Sequence, residues 1–510
     1  MIPLRPLRCG AGAPFAGLVV EHVWDVLRGP SFRFVAATAA AFVVFFARAP
    51  GPWVNPVFFA EDRDWTTLLV THGFWHTAFH ARPDYAVLGN VAVLWGGMRL
   101  CDLAGDDVLS IPRYQALVSY CAFALVVSLP VLLLRRRLRP AALAAVWLLA
   151  VSMPLGIHSG SWSGYEILGR AINVGFAALF VAFLLVWVRL TTHLRPARAA
   201  VIDAGLATCV LTNPIATALL PVAAWPALRR LAPVRDRAGL RTAALAIVRD
   251  PAVWTLAAAV LACLAGNGIP AAMAHGDRAV LAPPMPFDRA IECGLARSLF
   301  YSLSWPVYRW LNTDRTVALA ALALWLTWRF GLPRHRWLYA GGLGLLALTS
   351  ATLVFKRPEL AAHIGDYRTT FPDRYFYAQY LVGLPLMAAF ASDLQTRLAA
   401  RPFLARLPLA ALFGLAALAV CREPPGTVAA SQFIVDDDGW FRRAAARTVS
   451  LGAWRGVDGK LAVDGAFVGI PAHPSMPKEI LLPRAAVERA VARAAPARLA
   501  GRHAAATSPR

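Results

Sequence analysis

Apolar stretches as long as a lipid bilayer is thick recur along this chain from residue 34 to residue 420. In helical form, about 17 to 25 apolar residues cross a hydrocarbon core of roughly 30 Å. Hydrophobic residues fill 58% of the 510 positions and charged residues only 16%, whereas a typical soluble domain carries about 25% charged residues. The sequence therefore predicts an all-α polytopic membrane protein.

The distribution of arginine orients the predicted spans. The net charge is +22, and cytoplasmic loops of membrane proteins carry an excess of Lys and Arg. No basic helix, zinc pattern or aromatic-basic module accompanies this charge, so the expected partner is the lipid bilayer and not nucleic acid. The N-terminus is predicted inside and the C-terminus outside. About eleven transmembrane helices are predicted, at 34–49, 114–134, 141–157, 173–190, 200–212, 214–228, 251–267, 315–330, 338–355, 375–393 and 404–420.

One further apolar segment, Tyr85–Leu100, does not fit this pattern. It has only sixteen residues and contains Asn90 and Arg99. If it crossed the membrane, the basic run at 135–139 would lie outside, against the positive-inside rule. We therefore predict an interfacial or re-entrant helix here, and a crossing helix is the alternative.

The spans divide the chain into three parts. These are a cytoplasmic N-terminal segment at 1–32, a transmembrane domain at 33–420 and a periplasmic tail at 421–510. The first external loop covers 51–113. Most acidic residues between the spans fall on the predicted outside, which favours a functional site that faces this side.

The tail has no apolar stretch of membrane length. Val463–Ile470 has the pattern of a strand, and Ala485–Ala495 that of a helix. Trp440 and Trp454 predict that the tail packs against the external face of the transmembrane domain. The last ten residues are expected to be disordered.

Three acidic residues, Glu61, Asp62 and Asp64, follow the first predicted span in the aromatic-rich sequence from Phe58 to Trp65. Acids are costly near hydrocarbon, and in such places they commonly take part in chemistry or ion handling. A carboxylate there could act as a general base. The alternative is a set of solvated acids that cap an external helix.

The segment from Phe58 to Trp65 resembles the start of the first external loop in GT-C glycosyltransferases, membrane enzymes that take sugars from polyprenyl-phosphate carriers. The resemblance implies a GT-C-like fold with external juxtamembrane helices. It also implies that Asp62 takes the proton from the acceptor hydroxyl, with Glu61 as its neighbour or as a metal ligand. The leaving phosphate is a weak base, so a second carboxylate, as in glycoside hydrolysis, is not required.

Positive charge in a predicted external loop is the second candidate feature. Lys356, Arg357, Arg368 and Arg374 flank or occupy 356–374, where the positive-inside rule disfavours them. A lipid phosphate would explain them, because arginine binds phosphate bidentately. The alternative is interfacial snorkelling within an aromatic belt. The sequence from Asp373 to Tyr377, which includes Tyr375, resembles the Arg-Tyr-aromatic start of a late span in bacterial GT-C-like proteins.

Polar and aromatic residues in the loop after the third span could line a sugar pocket. Trp162 and Tyr165 offer flat faces for a pyranose ring, and Glu166, Arg170 and Asn173 offer polar groups. The alternative is a loop that satisfies its own backbone.

The turn at Leu211-Thr212-Asn213-Pro214 separates two short predicted spans, since proline ends a helix and restricts the residue before it. It resembles the Thr-Lys-Gly-Pro turn at an external hairpin tip of protein mannosyltransferases and lipid A aminoarabinose transferases. This chain has asparagine where those enzymes have lysine. Asn213 could therefore contribute only a hydrogen bond.

Three histidines recur at four-residue spacing in the first external loop. His72, His76 and His80 would lie on one helical face and could bind a divalent metal near Glu61 and Asp62. The alternative is a wet interfacial stripe beside neighbouring aromatic residues. No other cofactor is expected.

These features together predict an inverting glycosyltransferase of a bacterial inner membrane. It would move a sugar from a polyprenyl-phosphate carrier to a lipid, glycan or protein acceptor on the periplasmic side. A transporter or flippase of a lipid-linked glycan is an alternative that would favour acids within spans, and Asp203 near a span end comes closest. A non-catalytic membrane scaffold is the third.

Overall fold

The computed structural model describes residues 29–58, 61–152, 167–192, 194–228, 237–268, 313–356, 375–422, 439–450, 466–473 and 476–493. Within these ranges the chain is mostly helical, as the sequence predicts. A two-stranded antiparallel hairpin in the tail is an addition to the expected all-α architecture.

The α-helices of the described residues are α1 (Pro30–Arg48), α2 (Gly51–Val54), α3 (Glu61–His72), α4 (Phe74–His80), α5 (Leu88–Leu103), α6 (Ile111–Leu133), α7 (Pro140–Val151), α8 (Ala171–Val174), α9 (Ala178–Thr191), α10 (Pro196–Val210), α11 (Leu220–Leu228), α12 (Arg237–Val248), α13 (Pro251–Cys263), α14 (Thr313–Phe330), α15 (Arg336–Lys356), α16 (Tyr377–Arg397), α17 (Pro402–Arg422), α18 (Trp440–Ser450) and α19 at 484–493. The strands are β1 (Phe467–His473) and β2 (Met476–Pro483). Short 3-10 segments are Val108–Ser110, Gly175–Ala177, Pro214–Leu219 and Pro333–His335, and a π-helical turn is Leu264–Gly268.

Three described segments are long and apolar enough to cross a membrane, namely Pro30–Arg48, Val108–Leu133 and Pro251–Gly268. Shorter apolar helices lie at Pro140–Val151, Gly175–Thr191, Pro214–Trp225 and Pro402–Leu418. These segments indicate a membrane protein. The count of eleven spans remains a prediction.

Proline and short polar caps begin many of these helices. Proline at the first helical turn has no N–H group to leave unpaired, and Pro30, Pro140 and Pro251 occupy this position. Asp250 caps α13 by accepting a hydrogen bond from the Ala252 amide at 3.0 Å. The predicted break after α10 is also present, because α10 ends at Val210 and a 3-10 turn begins at Pro214.

The ambiguous segment at 85–100 forms α5, which begins and ends three residues later than predicted. It packs along α6 and also contacts α3 and α4. Its buried side includes Asn90, Leu94 and Cys101. The predicted third span at 141–157 is helical as far as Val151, and residues 153–166 lie outside the described ranges.

Helix ends that the sequence assigns to the same side lie together. At one end, Arg48, the last residue of α1, donates to the Val151 carbonyl at 2.5 Å, and Tyr380 near the start of α16 donates to the Leu149 carbonyl at 2.7 Å. This end, next to the segment 51–113 that the sequence predicts to be the first external loop, is called the loop end. At the opposite end, Arg189 of α9 donates to the Ala252 carbonyl at 2.7 Å.

The tail folds onto the segment 51–113, the predicted first external loop. Helix α18 packs on β1, and β2 packs on α3. Phe58 of the loop meets Phe441 with ring centroids 5.3 Å apart. Arg442 binds Asp107 bidentately at 2.7 and 2.9 Å. In the described part the tail therefore packs against the segment 51–113, and Trp440 borders the same apolar cluster. That this face is external remains a prediction.

The tail also corrects the sequence-based prediction. The strand expected at Val463–Ile470 runs instead from Phe467 to His473, and it pairs with β2, which was not predicted. Proline-rich sequence hid this hairpin, since proline disfavours sheet interiors. A register shift between Pro471 and His473 accommodates the proline. The helix expected at Ala485–Ala495 is found at 484–493, and Trp454 lies outside the described residues.

Candidate functional site

The two predicted acids lie in the first turn of α3, where the positive end of the helix dipole favours carboxylates. They have different surroundings. The Asp62 residue is only 6% exposed. The Glu61 side chain is 41% exposed and accepts from Arg82 Nη2 at 3.3 Å. The structure therefore separates a buried acid, suited to chemistry, from an exposed acid in a surface ion pair.

Backbone and side-chain contacts fix the position of Asp62. The Thr66 hydroxyl, fully buried, donates to the Asp62 carbonyl at 2.6 Å. Gln115 of α6 donates to the Thr66 hydroxyl at 3.0 Å and to the Leu94 carbonyl at 3.4 Å. The first turn of α3 is thus tied to both α5 and α6.

Arg170, from the segment before α8, approaches Asp62. It is 5% exposed, and its Nη1 atom lies 3.5 Å from the Val57 carbonyl oxygen. Burial lowers the pKa of the Arg170 guanidinium, and the negative charge of Asp62 acts in the opposite direction. Two residues that the sequence proposed independently, 108 positions apart (170 − 62), therefore interact electrostatically.

The backbone before Arg170 fits only glycine. Gly169 has a φ of +72°, and a Cβ atom there would lie 2.7 Å from the Tyr120 hydroxyl oxygen and 2.8 Å from Pro52 Cβ. The Tyr120 hydroxyl in turn donates to the Ala49 carbonyl. Close packing between α2, α6 and this turn therefore places Arg170 next to the end of α1.

Amide side chains join the neighbouring segments. Asn90 of α5 donates to the Ala171 carbonyl at 3.1 Å. Asn213 donates to the Gly175 carbonyl at 3.2 Å and accepts from the Ile215 amide at 3.2 Å. Asn173, also buried, lies between these two contacts in the sequence. The predicted residues Asn173 and Asn213 thus lie at the loop end, and Asn213 acts in a turn cap as well as a cross-link.

The start of α16 reaches the same region. The Tyr375 ring meets Phe176 edge-on, with centroids 5.4 Å apart. Tyr339 near the start of α15 donates to Asp393 near the end of α16 at 2.7 Å, so these helices are antiparallel. The end of α15 at Lys356 therefore lies at the level of the start of α16. The positions of Arg357, Arg368 and Arg374 are outside the described residues.

The predicted aromatic pocket also falls partly outside the described residues. Trp162, Tyr165 and Glu166 belong to 153–166, which the structure does not describe. From this predicted group, Arg170 and Asn173 remain, and both are buried.

The three histidines do not form the expected metal site. Their rings stack at centroid distances of 4.6 Å for His72 with His76 and 4.3 Å for His76 with His80. Some loss of hydration, followed by the neighbouring imidazoles of His80 and His72, lowers the pKa of the exposed His76. Among the residues that the structure describes, no group of three His, Cys, Asp or Glu could hold a metal ion. His72 is also ten residues beyond Asp62, about 15 Å along a helix.

Sequence reasoning missed two buried polar residues near the site. Arg48 is 7% exposed at the end of α1, where a basic residue reads as an ordinary end of a span. Gln379 of α16 is 1% exposed, and neither polar atom of its side chain has a hydrogen-bond partner in the described structure. An amide inside an apolar stretch was the available signal for Gln379.

The groups brought together here are those that acid–base chemistry on an anionic or polar ligand would use. It combines a buried carboxylate, a buried guanidinium and several amides at one end of a helical bundle. No protein-family model, curated protein or solved structure matches the chain. Function is therefore inferred from these residues and their geometry.

Proposed function

We propose that this chain is an inverting glycosyltransferase that uses a polyprenyl-phosphate-linked sugar. The proposal rests on the burial of both Asp62 and Arg170 at the loop end and on the electrostatic interaction between their charges. The GT-C-like fold, the eleven spans, the bacterial inner membrane and the periplasmic orientation of this end all belong to the proposal. The donor is lipid-linked, and the acceptor is a lipid, glycan or protein hydroxyl.

Asp62 is the general base. It accepts the proton of the acceptor hydroxyl as the hydroxyl oxygen bonds to the anomeric carbon from the face opposite the phosphate. The bond between the anomeric carbon and the phosphate oxygen breaks, and its electron pair leaves with the lipid phosphate. One displacement inverts the configuration at the anomeric carbon. A metal ion has no required part in this step.

Cationic side chains stabilise the leaving phosphate. Arg170 is suited to this role by its burial and its closeness to the base, because charge-assisted hydrogen bonds strengthen away from water. The sequence suggests further phosphate contacts from Lys356, Arg357, Arg368, Arg374 and Tyr375. It suggests sugar contacts from Trp162, Tyr165, Glu166, Asn173 and Asn213.

Asp62→Asn tests the proposal, and Asp64→Asn is its matched control. Asp64 is two residues away in the same helical turn, but its side chain is 46% exposed and pairs with Arg63. Membranes containing each variant would be supplied with a panel of polyprenyl-phosphate-linked radiolabelled sugars. Transfer of label to lipid, glycan and protein fractions would then be measured, with protein folding checked by gel filtration in detergent.

We expect Asp62→Asn to reduce transfer by about 10²- to 10⁴-fold, the usual contribution of a general base, and Asp64→Asn to retain it. Undiminished transfer by folded Asp62→Asn would remove Asp62 as the base. If the unmodified chain transferred no sugar from any donor of the panel, the scaffold interpretation would replace the proposal.

A transporter of a lipid-linked glycan is the second candidate, favoured by one observation. Asp203 of α10 is 1% exposed and lies 2.7 Å from Arg189 Nη1 and 2.5 Å from the Thr255 hydroxyl. Buried ion pairs within apolar helices commonly mark ion or substrate pathways. Flipping of a fluorescent lipid-linked glycan in proteoliposomes, abolished by Asp203→Asn and unaffected by Asp62→Asn, would favour this candidate.

A further inference from the structure

A groove of about 530 Å³ lies between the start of α1, the end of α6 and the start of α7. Arg33, Arg135 and Arg136 line it together with apolar residues that include Val131, Leu143 and Trp147. The groove is at the end of α1 opposite Arg48, and hence far from Asp62 and Arg170. Neither candidate function uses it.

The groove has a concentrated positive charge. Arg33, Arg135 and Arg136 are exposed, and no carboxylate of the described residues forms an ion pair with any of them. Arg137, next in the run, differs because it donates to Thr191 and Thr192.

Helix ends add to this charge. Helices α1 and α7 both begin at the groove without a side-chain cap, so their free N–H groups contribute further positive potential. The C-terminal end of α6 contributes negative potential. Two helix N-termini and three guanidinium groups therefore outweigh one helix C-terminus, and the groove is suited to an anion.

The walls of the groove are suited to acyl chains. Trp147 is half-buried, and its Nε1 atom donates to the Ser128 hydroxyl at 3.3 Å, which fixes the ring. On α1 next to the groove, Phe32 and Val35 are 42% and 60% exposed. The groove thus adjoins an apolar helix surface of the kind that faces lipid. A small soluble anion would gain nothing from these walls, whereas a phospholipid uses both the charges and the apolar surface.

We propose that this groove binds one anionic phospholipid. The three arginines hold the phosphate group, because guanidinium groups match phosphate geometry bidentately. The acyl chains lie along Val131, Leu143 and Trp147. Basic pockets between membrane helices bind anionic headgroups in this way. The bound lipid would hold α1 against α6 and α7, and it is independent of the reaction at Asp62.

The test uses the full chain purified in detergent and native mass spectrometry with phosphatidylglycerol or phosphatidylcholine. The test variant is Arg33→Gln/Arg135→Gln/Arg136→Gln. The control variant, Arg195→Gln/Arg198→Gln/Arg241→Gln, removes the same charge from exposed arginines elsewhere.

We expect the unmodified chain to retain one phosphatidylglycerol in preference to phosphatidylcholine. A surface arginine changes affinity for anionic lipid about fivefold, so the test variant should lose about a hundredfold. The control variant should stay within about twofold. If the triple variant does not fold, each single variant should bind phosphatidylglycerol about fivefold more weakly than the unmodified chain.

Four outcomes would overturn the proposal. Equal loss in both triple variants would indicate a general charge effect. Equal retention of the two lipids would remove the need for an anionic headgroup. Displacement of phosphatidylglycerol by millimolar inorganic phosphate would indicate a soluble anion site. A large gain in lipid affinity on deletion of residues 1–28, which include Glu21 and Asp25, would assign the groove to that segment.

Discussion

Replacing Gly169 by alanine should destabilise the protein and displace Arg170 from Asp62. Two effects act at this position. The backbone has a φ of +72°, and an added Cβ would lie 2.7 Å from the Tyr120 hydroxyl oxygen and 2.8 Å from Pro52 Cβ. Because Tyr120 and Pro52 are both buried, neither neighbour can move into solvent.

The size of the effect follows from these two contributions. A left-handed backbone costs a non-glycine residue about 1–2 kcal/mol, and overpacking a well-packed site costs about 1–3 kcal/mol. We therefore expect Gly169→Ala to lower the free energy of unfolding by about 2–5 kcal/mol. Gly105→Ala is a matched control, because Gly105 has a φ of +71° and a Cβ there would meet nothing within 4 Å. It should cost only the backbone contribution.

Unfolding of the two variants would be followed by tryptophan fluorescence as dodecyl sulfate is titrated into mild detergent micelles. The difference between the variants isolates the packing of Gly169 from its backbone conformation. Equal losses for Gly169→Ala and Gly105→Ala would refute the close contact with Tyr120 and Pro52. In the transfer assay, Gly169→Ala should also lower activity, since Arg170 follows directly, whereas Gly105→Ala should not.

Three further predictions concern other contacts. Asp393 accepts hydrogen bonds from Tyr339, His335 and the Leu332 amide. Asp393→Asn should therefore destabilise the chain by about 1.5–3 kcal/mol in the same titration, and Tyr339→Phe, which removes one of these bonds, by less. Equal stability of Asp393→Asn and the unmodified protein would contradict this. Arg442→Gln removes the partly exposed ion pair with Asp107, so it should lower the free energy of unfolding by about 1 kcal/mol and make the tail more accessible to limited proteolysis. An unchanged cleavage pattern would contradict this. Burial, with the charge of Asp106 next in size, raises the pKa of the Cys101 thiol from 9.0 to about 12. Between these values the unfolded chain binds fewer protons than the folded chain, so the contribution of Cys101 to stability is full below pH 9 and is lost towards pH 12. Cys101→Ala should therefore flatten the alkaline decline in stability, and an unchanged decline would exclude Cys101 as its cause.

Sequence predicted the helices well because their main determinant is local. An apolar stretch needs only its own length and composition to favour a helix in a membrane. The break at Asn213-Pro214 was predictable for the same reason, since proline acts on the residue before it and on its own turn. The helix starts at Pro30 and Pro140 likewise depend on nearby residues alone.

Long-range contacts were predictable only in part. Asp62 could be singled out because acids are costly near hydrocarbon, and Arg170 because it follows a polar and aromatic loop between two predicted spans. Their interaction depends on how α3, α6 and the segment before α8 pack, and no pattern in either segment specifies that packing. Likewise, β2 forms because β1 pairs with it, and its prolines gave the opposite local signal. The burial of Gln379 similarly depends on the neighbours of α16.

The burial of opposite charges at Asp62 and Arg170 supports the proposed chemistry, because stability alone gives a weak reason for it. Removing two opposite charges from water costs several kcal/mol per ion, about as much as their attraction returns, and well-packed apolar residues of similar volume often stabilise as well or better. A requirement for stability alone would thus be met more simply by leucine or methionine at both positions. Asp64, in the same helical turn, shows the usual arrangement of a half-exposed side chain paired with a sequence neighbour. Burying the interacting charges of Asp62 and Arg170 is costly to folding, and the proposed reaction, which needs a base and a cation away from water, gives a reason for that cost.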